Sequence, residues 1–67
     1  MKKEALEKIR IARIVKGYSQ EYIAQKLKIT QSQYSRLENG TNKISKENLE
    51  RVCSILELTR SDLVFDS

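Results

Sequence analysis

Apolar residues recur at helical spacing along most of the chain, and no alternation of apolar and polar positions lasts long enough to read as a strand. Residues 3–16 form the first run. Ala5, Ile9, Ala12 and the stem of Lys16 share one face, with Leu6 and Arg13 at its edge. Gly17 closes this helix, because a left-handed residue after a helix costs glycine little. Ser19 opens a second, short helix whose first amides its hydroxyl can cap, and Ile23, Ala24 and Leu27 are the buried positions. Lys28-Ile29-Thr30 connects to a third helix, capped by Thr30. It runs from Gln31 to about Asn39, buries Tyr34 and Leu37, and stops at Gly40. Ser45 is a plain cap for a fourth helix, in which Leu49, Val52, Cys53 and Leu56 stand at i, i+3, i+4 and i+7. Thr59 caps a short fifth helix ending around Leu63, Val64 and Phe65. The pattern predicts an all-α fold of five helices with short connections, one domain over residues 1–67.

Composition narrows the function. A chain of 67 residues supports one small core and leaves little room for a deep, water-excluding pocket. It has no His, no Trp and no Pro, and Cys53 has no second cysteine to pair with. A disulfide scaffold, a structural zinc site and a Ser-His-Asp or Cys-His catalytic arrangement are thereby excluded. No catalytic role, metal or cofactor is expected, and Cys53, on the core stripe, reads as a small buried hydrophobe. Glu4, Glu7, Lys8 and Arg10 interrupt any apolar segment behind Met1-Lys2-Lys3, and no run approaches a membrane span. A cytoplasmic protein is expected.

Charge is uneven. Residues 1–28 hold eight basic and three acidic side chains, residues 29–45 two and one, and residues 46–67 three and five. A basic front and an acidic back suit a polyanion on one side.

The chemistry concentrates between residues 19 and 40. Two short helices joined by three residues, with the small Ala24 where they cross, have the layout of a helix-turn-helix. The outer face of the second carries Gln31, Ser32, Gln33, Ser35 and Arg36. Glutamine can pair with adenine N6/N7 and arginine with guanine O6/N7. Gln20 stands at the start of the first of the pair, where exposed N–H groups attract phosphate.

Ser19-Gln20-Glu21, Ala24-Gln25-Lys26-Leu27 and Ser35-Arg36-Leu37-Glu38-Asn39-Gly40 resemble, in register, the phage repressor/Cro-like (XRE) helix-turn-helix family. Asn48-Leu49, Leu56-Glu57-Leu58-Thr59 and Asp62-Leu63-Val64 extend the likeness, which covers roughly residues 5–64. The resemblance implies a five-helix, lambda-repressor-like domain that binds double-stranded DNA as a homodimer on a near-palindromic operator, in a bacterial or phage-type, nucleoid-associated setting. It implies base reading by Gln31, Ser32 and Arg36, with Gln33 assisting, and phosphate contacts from Gln20, Asn39, Lys43 and Lys46. It also implies a structural ion pair between Arg13 and Glu38, and a dimer contact around Leu56, Leu58 and Arg60.

Two departures bear on shape. Lys28 and Glu57 stand where the family usually has glycine, so a differently shaped turn is expected there. Tyr34 replaces an aliphatic residue, and its hydroxyl needs a partner. Ile11, Ile14 and Val15 form a second apolar patch on the first helix, to be covered by Val64-Phe65 or by another subunit. An alternative function on the same fold is an antitoxin-like or accessory module for protein interaction.

Overall fold

Apolar spacing, serine and threonine caps and two glycines produce four α-helices in the computed structural model, which describes residues 3–59 together with Leu63. They are α1 (Lys3–Val15), α2 (Gln20–Leu27), α3 (Gln31–Glu38) and α4 (Lys46–Leu56). Each start after the first is capped by a hydroxyl. Ser19 accepts from the Tyr22 amide, Thr30 from that of Gln33, and Ser45 from that of Asn48. Each cap satisfies an amide that the helix geometry leaves without a carbonyl. Gly17 and Gly40 adopt φ of +77° and +87° after α1 and α3. At Gly40 a side chain would also meet Leu6 Cδ1 at 3.1 Å, a tight contact added to the strain of the backbone angle.

The turns at Lys28 and Glu57 correct the expectation of an altered shape. Both residues adopt the left-handed conformation, with φ of 60° and 58°. Their amides donate back to the last turn of the helix, Lys28 to Ala24 and Gln25 and Glu57 to Cys53 and Ser54. The backbone keeps the geometry glycine would adopt and carries the strain of a side chain in it, on the order of 1 kcal/mol per site.

The core lies where the four helices converge. Ala5 and Ile9 of α1, Ile23, Ala24 and Leu27 of α2, Tyr34 of α3, and Val52 and Leu56 of α4 are buried together with Leu63. Ala24 is 1% exposed within this cluster. A larger side chain there would overpack the core, at about 1–3 kcal/mol. Leu6, placed by periodicity at the edge of the α1 face, is buried. Leu37 and Cys53 are half-buried and not sealed in the core. The expected fifth helix, including Val64 and Phe65, falls largely on residues 60–62 and 64–67, outside the described residues. Ile11, Ile14 and Val15 are exposed along the outer side of α1.

Candidate nucleic-acid interface

Helix α3 turns one face to the core and the other to solvent. Tyr34 points inward, while Gln31, Ser32, Gln33 and Arg36 are exposed. At 100° per residue, Ser32 and Arg36 project nearly together, Gln31 stands beside them, and Gln33 lies on the other flank. Gln33 also has a local role. Its Oε1 accepts the Thr30 backbone N–H at 2.8 Å while its own amide donates to Thr30 Oγ1, forming a capping box at the start of α3. Thr30 and Gln33 stand at the spacing that defines this motif, so the signal is present in the sequence.

What holds α3 at its angle is Glu38, the one charged residue found buried among those described. Its Oε2 accepts from Arg13 Nε at 2.8 Å and from the Tyr34 hydroxyl at 2.8 Å. Its Oε1 accepts from Arg13 Nη2 at 3.1 Å and from Gln20 Nε2 at 3.1 Å. Four donors fill the roughly four acceptor positions of a carboxylate. The Arg13 fork is bidentate, and its remaining nitrogen, Nη1, donates to the Tyr18 carbonyl at 2.9 Å. One carboxylate thus ties α1, α2, the loop between them and α3.

The protonation of the cluster follows from these contacts. Burial pushes the Glu38 carboxyl up, but hydrogen bonds from Arg13, Tyr34 and Gln20 outweigh it and leave its pKa below the ordinary value. The Arg13 pKa is raised, chiefly by its hydrogen bonds to Glu38. Burial, and then donation to Glu38, push the Tyr34 phenol well above its ordinary value. Every buried side-chain polar atom among the described residues has a partner.

Of the residues expected at phosphate, Asn39, Lys43 and Lys46 lie beyond the end of α3, and Gln20 opens α2. Asn39 is exposed, and its Oδ1 accepts the Thr41 amide at 2.9 Å, leaving its NH2 group available. The Asn42 amide donates to the Arg36 carbonyl at 3.1 Å, which pins the start of the loop that carries Lys43. Lys43 and Lys46 are exposed. Gln20 is half-buried, its amide already donating to Glu38, and it shares an open cleft with Asn39. Sequence spacing did not reveal that Gln20 and Tyr34 serve Glu38. The signal for Tyr34 was its position four residues before Glu38, one turn away on the same face.

The expected dimer contact needs correction at one position. Leu56 is 2% exposed and packed in the core, so its side chain is not available to a partner. Leu58 is half-buried, and Arg60 lies outside the described residues. Among the described residues, no cluster of His, Cys, Asp or Glu could hold a metal ion, and no helix is long and apolar enough to cross a membrane.

Two short helices, capped by Ser19 and Thr30 and packed on each other, the second presenting amide and guanidinium groups to solvent, form a helix-turn-helix. A helix-turn-helix family model matches residues 9–63, and the chain belongs to that family, the XRE or Cro/C1 type. This is a family of DNA-binding transcription regulators. Comparison with curated proteins and with solved structures returned no match.

Proposed function

We propose that the protein regulates transcription by binding a near-palindromic DNA operator as a homodimer, with α3 of each copy in a major groove. The reading rests on one observation: Glu38 of α3 is bonded to Arg13 of α1 and Gln20 of α2, so the exposed Gln31, Ser32 and Arg36 stand on a helix tied to both. Gln31, Ser32 and Arg36 read base edges. Gln33 assists while its amide oxygen holds the cap, leaving its NH2 group to face the groove. Gln20, Asn39, Lys43 and Lys46 hold backbone phosphate and set the register. A domain this small makes few phosphate contacts alone, so two copies sit with half-site centres about one helical turn apart. Leu58 and Arg60 contribute to the contact between copies. Regulation follows from occlusion or recruitment at a promoter, in the cytoplasm at the nucleoid, and no catalysis or cofactor is involved.

Selection of bound sequences from a random duplex pool tests this directly. A palindromic motif is the expected result, and recovery of no motif would overturn sequence-specific binding.

The exposed Ile11, Ile14 and Val15 favour a second reading, in which the fold serves a protein partner in the manner of an antitoxin or accessory module. Salt separates the two. Binding that neutralises several phosphates weakens linearly as log[salt] rises, whereas an apolar contact does not.

A further inference from the structure

The cleft that Gln20 shares with Asn39 has a third wall. It measures about 360 Å³, and Lys3 and Arg10 of α1 line it together with Ser35 of α3. Residues 3, 6, 10 and 13 advance by three or four along α1, which places Lys3, Leu6, Arg10 and Arg13 on one stripe. The stripe changes character along its length. Arg13, at the inner end, is 13% exposed, and each of its three nitrogens donates to Glu38 or to the Tyr18 carbonyl. Arg10 is about half exposed, and its ion pair is to Glu7 at 4.0 Å, between two solvated side chains on its own helix. That separation is too long for a hydrogen bond, so the guanidinium keeps donors for another acceptor.

Two carboxylates also line the cleft, and neither closes it to an anion. The four acceptor positions of Glu38 are filled, and its charge is matched by Arg13. The charge of Glu7 is offset by Arg10 itself, and Lys3 adds a positive charge beyond that. On the walls Lys3 and Arg10 balance Glu7 and Glu38, and with Arg13 bonded to Glu38 one positive charge is left over, beside the amides of Gln20 and Asn39 and the Ser35 hydroxyl. This is the donor set that a phosphate diester accepts from.

We propose that this cleft seats one DNA backbone phosphate, held jointly by Arg10 of α1 and the Gln20 amide, with Lys3 and Asn39 at its rim. Helix α1 then becomes a DNA-contacting element beside α2 and α3. The proposal rests on the DNA-binding reading above and adds to it a site on a helix that otherwise only supports the fold.

The test uses the full chain, an operator duplex from the selection experiment and an unrelated duplex, with affinity followed by fluorescence anisotropy over a salt series. Arg10→Gln is expected to weaken binding to both duplexes by the same factor. It should also lower the slope of log K against log[salt] by about 0.9 per subunit, one phosphate's worth. Arg51→Gln, the same charge change on α4, is the control and should move the slope by much less. Combining Arg10→Gln with Gln20→Ala should cost less than the product of the single losses, because both hold one phosphate. If wild-type affinity falls steeply with salt and Arg10→Gln leaves the slope unchanged, the α1 site is overturned while DNA binding stands. Losses that multiply independently would overturn the shared phosphate. A wild-type protein that binds no duplex would overturn the DNA-binding reading and this site with it. Thermal melts of each variant show whether a loss reflects unfolding, and Arg10→Lys should restore most of the salt slope if charge in the cleft is what matters.

Discussion

Tyr34 and Glu38 lie one turn apart on α3, and the tyrosine hydroxyl donates to the carboxylate at 2.8 Å on the buried side of the helix. The bond lets an aromatic ring fill the core while its polar end completes the shell around a buried charge. The same carboxylate holds Arg13, 25 residues earlier, and Gln20, 18 residues earlier. The orientation of α3 therefore depends on Arg13 of α1 and Gln20 of α2, both far from it in sequence.

Glu38→Gln leaves Arg13 without a counter-charge in a site where its side chain is only 13% exposed. The expected loss is about 2–3 kcal/mol, above the ~0–1 kcal/mol of a surface pair and below the full penalty of a sealed one. Tyr34→Phe removes one donor to the charged group and should cost about 1.5–3 kcal/mol. Urea denaturation measures both. A Glu38→Gln loss within error of zero would reduce the cluster to surface electrostatics.

The pH dependence has a definite sign at each end. The folded-state pKa of Glu38 lies below its ordinary value, so its contribution is present above about 4.3 and is lost as pH falls through the folded value. Wild type should lose stability more steeply than Glu38→Gln in that acid window. Glu57 is also lowered, by its hydrogen bond to Lys16, but that pair is solvent-exposed and screened by salt. Denaturation at about 0.5 M salt, where screening is short-ranged, isolates Glu38. The Tyr34 pKa is raised, so its contribution is present below about 10 and is lost as pH rises past that value. Tyr34→Phe should lack this alkaline loss.

Gln33 and Arg36 separate cap from groove. Gln33→Glu keeps an acceptor for the Thr30 amide and places negative charge in the first turn, so stability should hold or rise slightly. DNA affinity should fall, because the new charge faces phosphate. Arg36→Ala should leave stability nearly unchanged and relax the preference at one guanine per half-site by about 1–3 kcal/mol. Lys43→Ala should weaken binding to every sequence alike. A uniform loss for Arg36→Ala would make it another phosphate anchor.

The left-handed turns offer a stabilising change. Lys28→Gly removes side-chain strain at φ of 60° and should raise stability by about 0.5–1 kcal/mol, a few degrees in Tm. Glu57→Gly should gain less, since it also loses the hydrogen bond from Lys16. A lower melting temperature for Lys28→Gly would show that the Lys28 side chain contributes more than its backbone strain costs.

The sequence alone determined where α2, α3 and α4 begin and where α1 and α3 stop. Ser19, Thr30 and Ser45 bond to amides three residues on, and Gly17 and Gly40 stop helices by their own backbone freedom. The core positions of α2 were equally legible from local spacing. These are interactions within one turn, which residue order specifies directly. The Arg13–Glu38 pair was reached through family likeness and not through spacing. Only the tertiary structure decided that Gln20 and Tyr34 complete that pair, that Leu56 belongs to the core, and that Arg10 borders the cleft beside α3. It also decided that Lys28 and Glu57 accept the left-handed conformation, a strain that local preference would avoid. The physical reason is distance along the chain: two of the three residues that donate to this carboxylate lie 18 and 25 positions away, they are brought to it by the angles at which helices pack, and no local pattern encodes those angles.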